Sequence, residues 1–280
     1  MPLILLIASP MAYAELSIAP GIQPDKVVTY KVINDTVLKL HIFNPIDHKA
    51  GDNKPAIVFF FGGGWTKGTP KQFYEQSQYL ASRGMVAISA EYRIKHLHNT
   101  SPKESVKDSK SAMRWVRSHA KELGINAQMI AAGGGSAGGH LAIATAVLKD
   151  FNEDNENLSV SARPDALALF NPAFDNGPGG VGYNLVKNYW RAFSPIHNLD
   201  ESVPPSIVFL GTEDKLIPVE TVELFKHKME QNGRRCDLFL YEGQPHGFFN
   251  TFKKNNKYEE TLFELDKFLV SLGYLSPNPI

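Results

Sequence analysis

Residues 56–61 form an unbroken apolar run that ends in glycines, and comparable runs recur at 85–90, 129–132, 166–170, 207–210 and 238–241. Short apolar runs suit strands covered on both faces, since a strand with one wet face alternates polar with apolar residues. Helical patterns fill the gaps. The clearest places Val106, Met113, Val116 and Ala120 on one face, opened by Ser101 as N-cap, Pro102 at the first helical position and Glu104 three residues after the cap. Others cover 137–148, 219–229 and 258–272, the last with apolar residues at 258, 262, 265, 269 and 272. Ahead of these, 27–33 and 37–43 alternate on either side of Asn34-Asp35, a turn dipeptide, and predict an antiparallel hairpin. The whole pattern predicts an α/β fold: a mostly parallel sheet with an N-terminal antiparallel hairpin, right-handed crossovers and helices on both faces. Reactive residues then belong on loops at the carboxyl ends of the strands.

The chain has 280 residues, 43% hydrophobic and 21% charged, a balance suited to one compact domain rather than to disorder. No repeat, low-complexity tract or linker divides it. Lys+Arg and Asp+Glu each number 29, so no counterion release draws the chain to a nucleic-acid backbone, and no nucleic-acid partner is expected. Cys236, the single cysteine, can form no intrachain disulfide and cannot alone hold a Cys-rich zinc or iron–sulfur site. At the N-terminus, residues 3–7 are apolar and Ala12-Tyr13-Ala14 is a small-x-small pattern just before Glu15. This predicts a signal peptide over 1–14, cleaved after Ala14, with 15–280 as the folded domain of a periplasmic or secreted protein. The apolar run is much shorter than the roughly 20 residues of a membrane-spanning helix, so no membrane span is expected. No Lys or Arg precedes Lys26, so the basic start of such a peptide is missing and an ordinary N-terminal arm is the alternative.

Candidate chemistry begins at Gly133-Gly134-Gly135-Ser136-Ala137-Gly138-Gly139, which follows an expected strand and opens an expected helix. Gly134-x-Ser136-x-Gly138 has the form of a nucleophile elbow, in which small neighbours let the backbone turn sharply and hold the serine hydroxyl above the sheet. A phosphate-cradling loop is the alternative, and Gly133, Gly135 and Gly138 fit a dinucleotide pattern, but no acidic residue ends a strand about 20 residues on. An activated serine needs a base, an acid to orient the base and donors for the oxyanion. Asp214 follows the strand that ends at Leu210 and His246 follows the last strand; the order Ser, Asp, His is that of hydrolases, not of the two familiar protease families. Glu213 is the rival acid, although the shorter Asp214 better suits a fixed bond to imidazole. His140, one turn beyond Ser136, reads as a packed side chain rather than a competing base, and His96 and His98 lack an acidic neighbour in sequence for metal binding. In Gly62-Gly63-Gly64-Trp65, the glycines let backbone N–H groups approach an oxyanion, with the N–H of Ala137 as a further donor. Trp65 reads either as a wall of the acyl pocket or as a buried core tryptophan.

These residues, with Glu91-Tyr92-Arg93, His140-Leu141-Ala142, Gly211-Thr212-Glu213-Asp214 and His246-Gly247-Phe248, resemble the α/β-hydrolase superfamily over about residues 29–272. Within it the chain is similar to the small carboxylesterases of the acetyl-xylan-esterase and feruloyl-esterase-like kind, and more distantly to hormone-sensitive-lipase-like esterases. The resemblance implies Ser136 as nucleophile, Asp214 and His246 as triad partners, and the amides of Gly63, Gly64 and Ala137 as the oxyanion hole, with no cofactor or metal required. In the implied reaction His246 takes the Ser136 proton during attack on an ester carbonyl and protonates the leaving alcohol, and water repeats the cycle on the acyl-enzyme. Phe61 stands where the family's oxyanion loop usually has histidine, so the side-chain hydrogen bond that orders that loop is expected to be absent. Gly135 replaces the usual acidic residue before the serine, a change that would loosen the elbow. Glu91 replaces a more usual Asp, and Arg93 reads as structural, paired with Asp108 or Glu91.

Too few residues precede the first strand for a large helical cap. Residues 171–204 are the one sizeable excursion and hold Phe174, Tyr183, Tyr189, Trp190 and Phe193. They read either as a carbohydrate- or aryl-binding wall, with Trp65, Tyr189 and Trp190 as substrate contacts, or as a self-packed loop and short helix. The expected partner is a small-molecule or carbohydrate ester with a short acyl chain, sugar acetates being preferred on resemblance alone; feruloyl or aryl esters are the nearest alternative. A prolyl-oligopeptidase-type peptidase would bring a propeller or N-terminal β domain, and a noncatalytic binding protein would lack a triad member. The sequence carries no sign of oligomeric state.

Overall fold

The computed structural model describes residues 21–277, and the expected signal peptide over 1–14 lies outside the described residues. Strands β1 (Lys26–Ile33), β2 (Thr36–Phe43), β3 (Lys54–Phe60), β4 (Val86–Ala90), β5 (Ile125–Gly135), β6 (Ala166–Phe170), β7 (Ser206–Gly211) and β8 (Cys236–Tyr241) form one sheet in the order β1-β2-β4-β3-β5-β6-β7-β8. The β1–β2 and β2–β4 pairs are antiparallel and all the others parallel. The helices are α1 (Tyr74–Ser82), α2 (Lys95–His98), α3 (Pro102–Ser118), α4 (Ala137–Val147), α5 (Tyr183–Val186), α6 (Trp190–Phe193), α7 (Val219–Gln231) and α8 (Tyr258–Ser271). This is the mostly parallel α/β sheet with an N-terminal antiparallel hairpin expected from the alternating pattern.

The unbroken apolar runs arise because successive residues enter opposite cores. Ala56, Val58 and Phe60 of β3 join one core with Val106 and Met113 of α3, Leu141 of α4 and Phe225 of α7. Ile57 and Phe59 join the other, with Leu80 of α1 and Leu265, Phe268 and Leu269 of α8. At the start of α3 the Glu104 carboxylate accepts from both the N–H and the hydroxyl of Ser101, at 3.0 and 2.6 Å, forming the expected capping box.

Helix α1, the single-turn α2 and strand β5 depart from the sequence pattern. Helix α1 was not expected, because its inward face includes Gln76 and Ser77 beside Leu80 and Ala81 and so lacks a clean apolar period. Strand β5 runs on through Gly133–Gly135 instead of stopping at 132, and these glycines pair with Ala168, Leu169 and Phe170. Crowding explains their lack of side chains: a Cβ on Gly133 would lie 2.7 Å from the Phe59 ring, and one on Gly135 would lie 2.5 Å from the Phe249 ring. Gly135 thus makes room for Phe249.

Arg93 follows β4 and is structural, as expected, but its partners are Asp108 and Glu153. Its guanidinium meets both Asp108 oxygens at 2.8 Å, its N–H donates to Asp108 at 2.9 Å, and Glu153 stands 3.1 Å away. Glu91 turns instead to His41 at 3.1 Å and the Lys39 N–H at 3.0 Å. Lys31 on β1 bonds both Asp108 and Glu153 at 2.7 Å, so the cluster ties the hairpin to α3 and to the loop after α4. Asp108 is fully buried, where an unpaired carboxylate would be very costly.

Burial raises the Glu153 pKa, but hydrogen bonds from Lys31 and Lys107 outweigh it and hold the carboxyl below its ordinary value of 4.5. A depressed folded pKa gives stability that is present above the unfolded value and is lost as pH falls through the folded one. Glu153→Gln is therefore expected to lower the melting temperature at pH 7, with the gap to the parent protein closing below about pH 4. Thermal melts of both proteins across that range test this, and a gap that persists in acid would contradict it.

Candidate active site

The turn from β5 into α4 places Ser136 at φ 56° and ψ −118°, a conformation that non-glycine residues rarely adopt. Its N–H donates to Phe170 O at 2.9 Å, and its carbonyl accepts from His140 at 3.0 Å and Ala173 at 3.2 Å. Glycines on either side make the turn possible. A Cβ on Gly138 would stand 2.0 Å from Phe60 O, and one on Gly134 would stand 2.5 Å from Gly138 C.

Ser136 Oγ lies 3.0 Å from His246 Nε2, and His246 Nδ1 lies 2.7 Å from Asp214 Oδ2. With the imidazole proton on Nδ1 directed to the carboxylate, Nε2 is left to accept the serine hydroxyl proton. The other Asp214 oxygen accepts from the N–H groups of Leu216 and Ile217 at 2.8 and 3.0 Å, which holds the side chain in place. The Asp214 side chain has no exposure, whereas that of His246 is 25% exposed, so solvent reaches the imidazole but not the carboxylate. Glu213, the rival acid, is exposed. The loops bearing Asp214 and His246 are tied together: Glu213 N donates to Gln244 O at 3.0 Å, and Gly243 N to Thr212 Oγ1 at 2.8 Å.

The glycine loop after β3 lies against this centre. Gly63 has φ 126° and Gly64 has φ 64°, and a Cβ on Gly63 would collide with Lys67 O at 2.0 Å. The N–H groups of Gly63, Gly64 and Ala137 find no acceptor among the described residues, whereas that of Gly62 donates to Gln72 Oε1 at 2.6 Å. Gln72 lies in the 3₁₀ turn Pro70–Phe73, and its Nε2 donates to Asn250 Oδ1 at 3.0 Å. The loop is nonetheless held by a side chain, that of Gln72, ten positions beyond Gly62. Phe61 itself stacks on Tyr92 at 4.1 Å, and the Tyr92 hydroxyl donates to Phe61 O at 2.6 Å. Burial raises the Tyr92 pKa well above its ordinary value, so the donor keeps its proton.

His140 is fully buried, with Nε2 3.0 Å from Phe193 O. Burial pushes its pKa down to about 3, outweighing the opposing hydrogen bond, so at neutral pH the ring is an uncharged packing element. Trp65, 2% exposed, meets His140 and Phe193 edge-on at 5.1 and 5.7 Å. Tyr189 packs on Phe151 and Phe193, Trp190 meets His197 edge-on at 5.1 Å, and Phe174 stacks on Phe225 at 3.9 Å. The aromatic rings of residues 171–204 thus largely pack against one another and the core, which favours the self-packed reading of this excursion. His98 Nδ1 bonds the backbone of Ile94. Among the described residues, no group of three or more His, Cys, Asp or Glu side chains is placed to hold a metal ion, and no helix is long and apolar enough to cross a membrane.

Gln72, Asn250 and Asn171 were not singled out from the sequence. Asn171, fully buried after β6, accepts from Gly247 N at 2.9 Å beside the base. The one available signal was Phe61 in a histidine's place, which implies a substitute donor or acceptor without saying where it lies.

The BD-FAE family matches residues 40–168 and the dienelactone hydrolase family residues 181–266. Thermogutta terrifontis esterase 2 in its apo form is similar with a TM-score of 0.89 and 43% identity, covering 94% of this chain and 100% of that one. That esterase is also known phosphorylated by paraoxon and with propionate or butyrate bound. An acetylxylan esterase of Xylanibacter ruminicola is 28% identical over 78% of this chain and 45% of its own length. A probable isoprenylcysteine alpha-carbonyl methylesterase of Arabidopsis thaliana is 28% identical over 69% of this chain and 45% of its own. The chain spans about half the length of these curated relatives.

The contact at Gly138 is open to a direct test. Gly138→Ala forces a methyl group against the Phe60 carbonyl, so the expected loss of stability is at the upper end of about 1–3 kcal/mol, measured by denaturant unfolding. A variant as stable as the parent would show that the elbow can relax away from β3.

Proposed function

The chain belongs to the α/β-hydrolase carboxylesterases, and on that premise we propose that it is a serine esterase of short-chain acyl esters, acetylated carbohydrates among them. The hydrogen-bonded series Ser136, His246, Asp214 carries this reading. Ser136 attacks the ester carbonyl while His246 takes its proton, and the amides of Gly63, Gly64 and Ala137 receive the charge on the carbonyl oxygen. His246 returns the proton to the leaving alcohol. Water, deprotonated by the same imidazole, then releases the acid from the acyl-enzyme. Asp214 keeps Nδ1 protonated and stabilises the imidazolium as it forms.

The short-chain preference rests on the scarcity of apolar surface for enclosing a long chain. Residues 171–204 contribute two single-turn helices, of which Val186 and Phe193 are buried in the core. Each methylene left in water forgoes roughly 0.8 kcal/mol. The propionate- and butyrate-bound forms of the Thermogutta esterase support the same preference. Sugar acetates as natural substrates are supported by the likeness to the acetylxylan esterase.

Ser136→Ala is expected to abolish turnover of p-nitrophenyl acetate without altering the melting temperature, because it removes one oxygen at the turn and little packing. Asp214→Asn is expected to lower kcat by up to about 10⁴-fold through the wrong histidine tautomer, whereas Glu213→Gln leaves it near the parent value. The reverse ranking would reassign the acid. Across p-nitrophenyl esters, kcat/KM is expected to be greatest from acetyl to butyryl and to decline beyond about six carbons. An optimum at about ten carbons or more would require an enclosed acyl tunnel.

A further inference from the structure

We propose that Gln72 is a positioning residue for the oxyanion hole, doing for this loop what a histidine at position 61 would otherwise do; the proposal rests on the esterase reading above. The peptide unit joining Phe61 and Gly62 is held at both edges, its C=O by the Tyr92 hydroxyl at 2.6 Å and its N–H by Gln72 Oε1 at 2.6 Å. A peptide unit is a rigid plane, so bonds on opposite edges fix its rotation about the chain axis. That plane is the base from which the Gly63 N–H emerges; the next peptide unit, which carries the Gly64 N–H, is held through Gly63 O by the N–H groups of Thr66 and Lys67 at 3.1 and 3.2 Å. Glycines impose no preference of their own on this rotation, so hydrogen-bond partners have to supply it.

Gln72 acts close to the reacting serine. The position that a Cβ on Gly62 would occupy lies 3.4 Å from both Gln72 Oε1 and Ser136 Cβ. The other end of the carboxamide reaches the base. Gln72 Nε2 donates to Asn250 Oδ1 at 3.0 Å, Asn250 Nδ2 donates to Gly247 O at 2.8 Å, and Gly247 follows His246 directly. Only a side chain with both an acceptor and a donor can make these two bonds together, as a carboxamide does. One side chain thus holds the loop that receives the oxyanion in register with the loop that carries the base.

The test compares the parent protein, Gln72→Leu, Gln72→Glu and Ser136→Ala in p-nitrophenyl acetate kinetics and thermal melts. Leucine removes both bonds at similar volume, and glutamate keeps an acceptor for the Gly62 N–H. Gln72→Leu is expected to lower kcat by about 10- to 100-fold with KM changed less than about twofold, since an effect confined to kcat marks a contribution made in the transition state. Gln72→Glu is expected to recover kcat to within about fivefold of the parent. A Leu variant with kcat within about twofold of the parent, a loss carried by KM alone, or a Glu variant no better than Leu would overturn the proposal. If Gln72→Leu does not fold, Gln72→Asn decides, because it keeps the amide but withdraws it by one methylene; its kcat must then fall at least about tenfold. Turnover retained by Ser136→Ala would instead remove the esterase reading itself, a result separate from any outcome at Gln72.

Discussion

Where Gly138 meets the end of β3, the chain comes so close to the Phe60 carbonyl that even a methyl group has no place. This contact lets α4 begin directly above the sheet, and the intervening residue, Ser136, must take a positive φ to make the turn. The Ser136 hydroxyl is therefore placed by backbone packing at Gly138 and Phe60. The same contact brings the glycine loop beside the turn: a Cβ on Gly62 would lie 2.9 Å from Gly135 O. Ser136, the Ala137 amide and the glycine loop thus form one closely packed unit, which limits how far any of them can move.

The rest of the site is held to this unit by hydrogen bonds. Asp214 is fixed by two backbone amides and fixes His246 in turn, while Asn171, Asn250 and Gln72 attach the base loop to β6 and to the glycine loop. Tyr92 closes the other side. Its neighbour Arg93 is anchored through both backbone and side chain to the buried Asp108, so the charged cluster beneath the hairpin also secures the tyrosine that grips the glycine loop. Stability and chemistry meet at these two consecutive residues.

Much of this was legible in the sequence, and the exceptions share a cause. The apolar runs mark the parallel strands because a doubly covered strand needs apolar side chains at every position, whatever its neighbours are. Ser136 is marked by its glycines, since no other residues fit the turn. The choice of Asp214 over Glu213 followed from side-chain length, and the structure buries the first and exposes the second. Helix α1 escaped notice because its buried face includes the polar Gln76 and Ser77, which break the apolar period. The aromatics of 171–204 looked equally suited to a substrate wall and to self-packing, since a ring is apolar in either role.

The sequence by itself determined the α/β architecture, the position of the turn and the three residue types that meet there. Each of these depends on local periodicity or on short-range sterics that a few neighbouring residues impose. Only the tertiary structure decided what orders the glycine loop. Gln72 and Asn250 are 178 residues apart and ordinary in composition, and nothing near either of them in the chain marks it as a partner. Their bond exists because the ordering of the strands brings the loop after β3 and the loop after β8 over the same end of the sheet. A directional bond between distant residues depends on that closure and leaves no periodic trace.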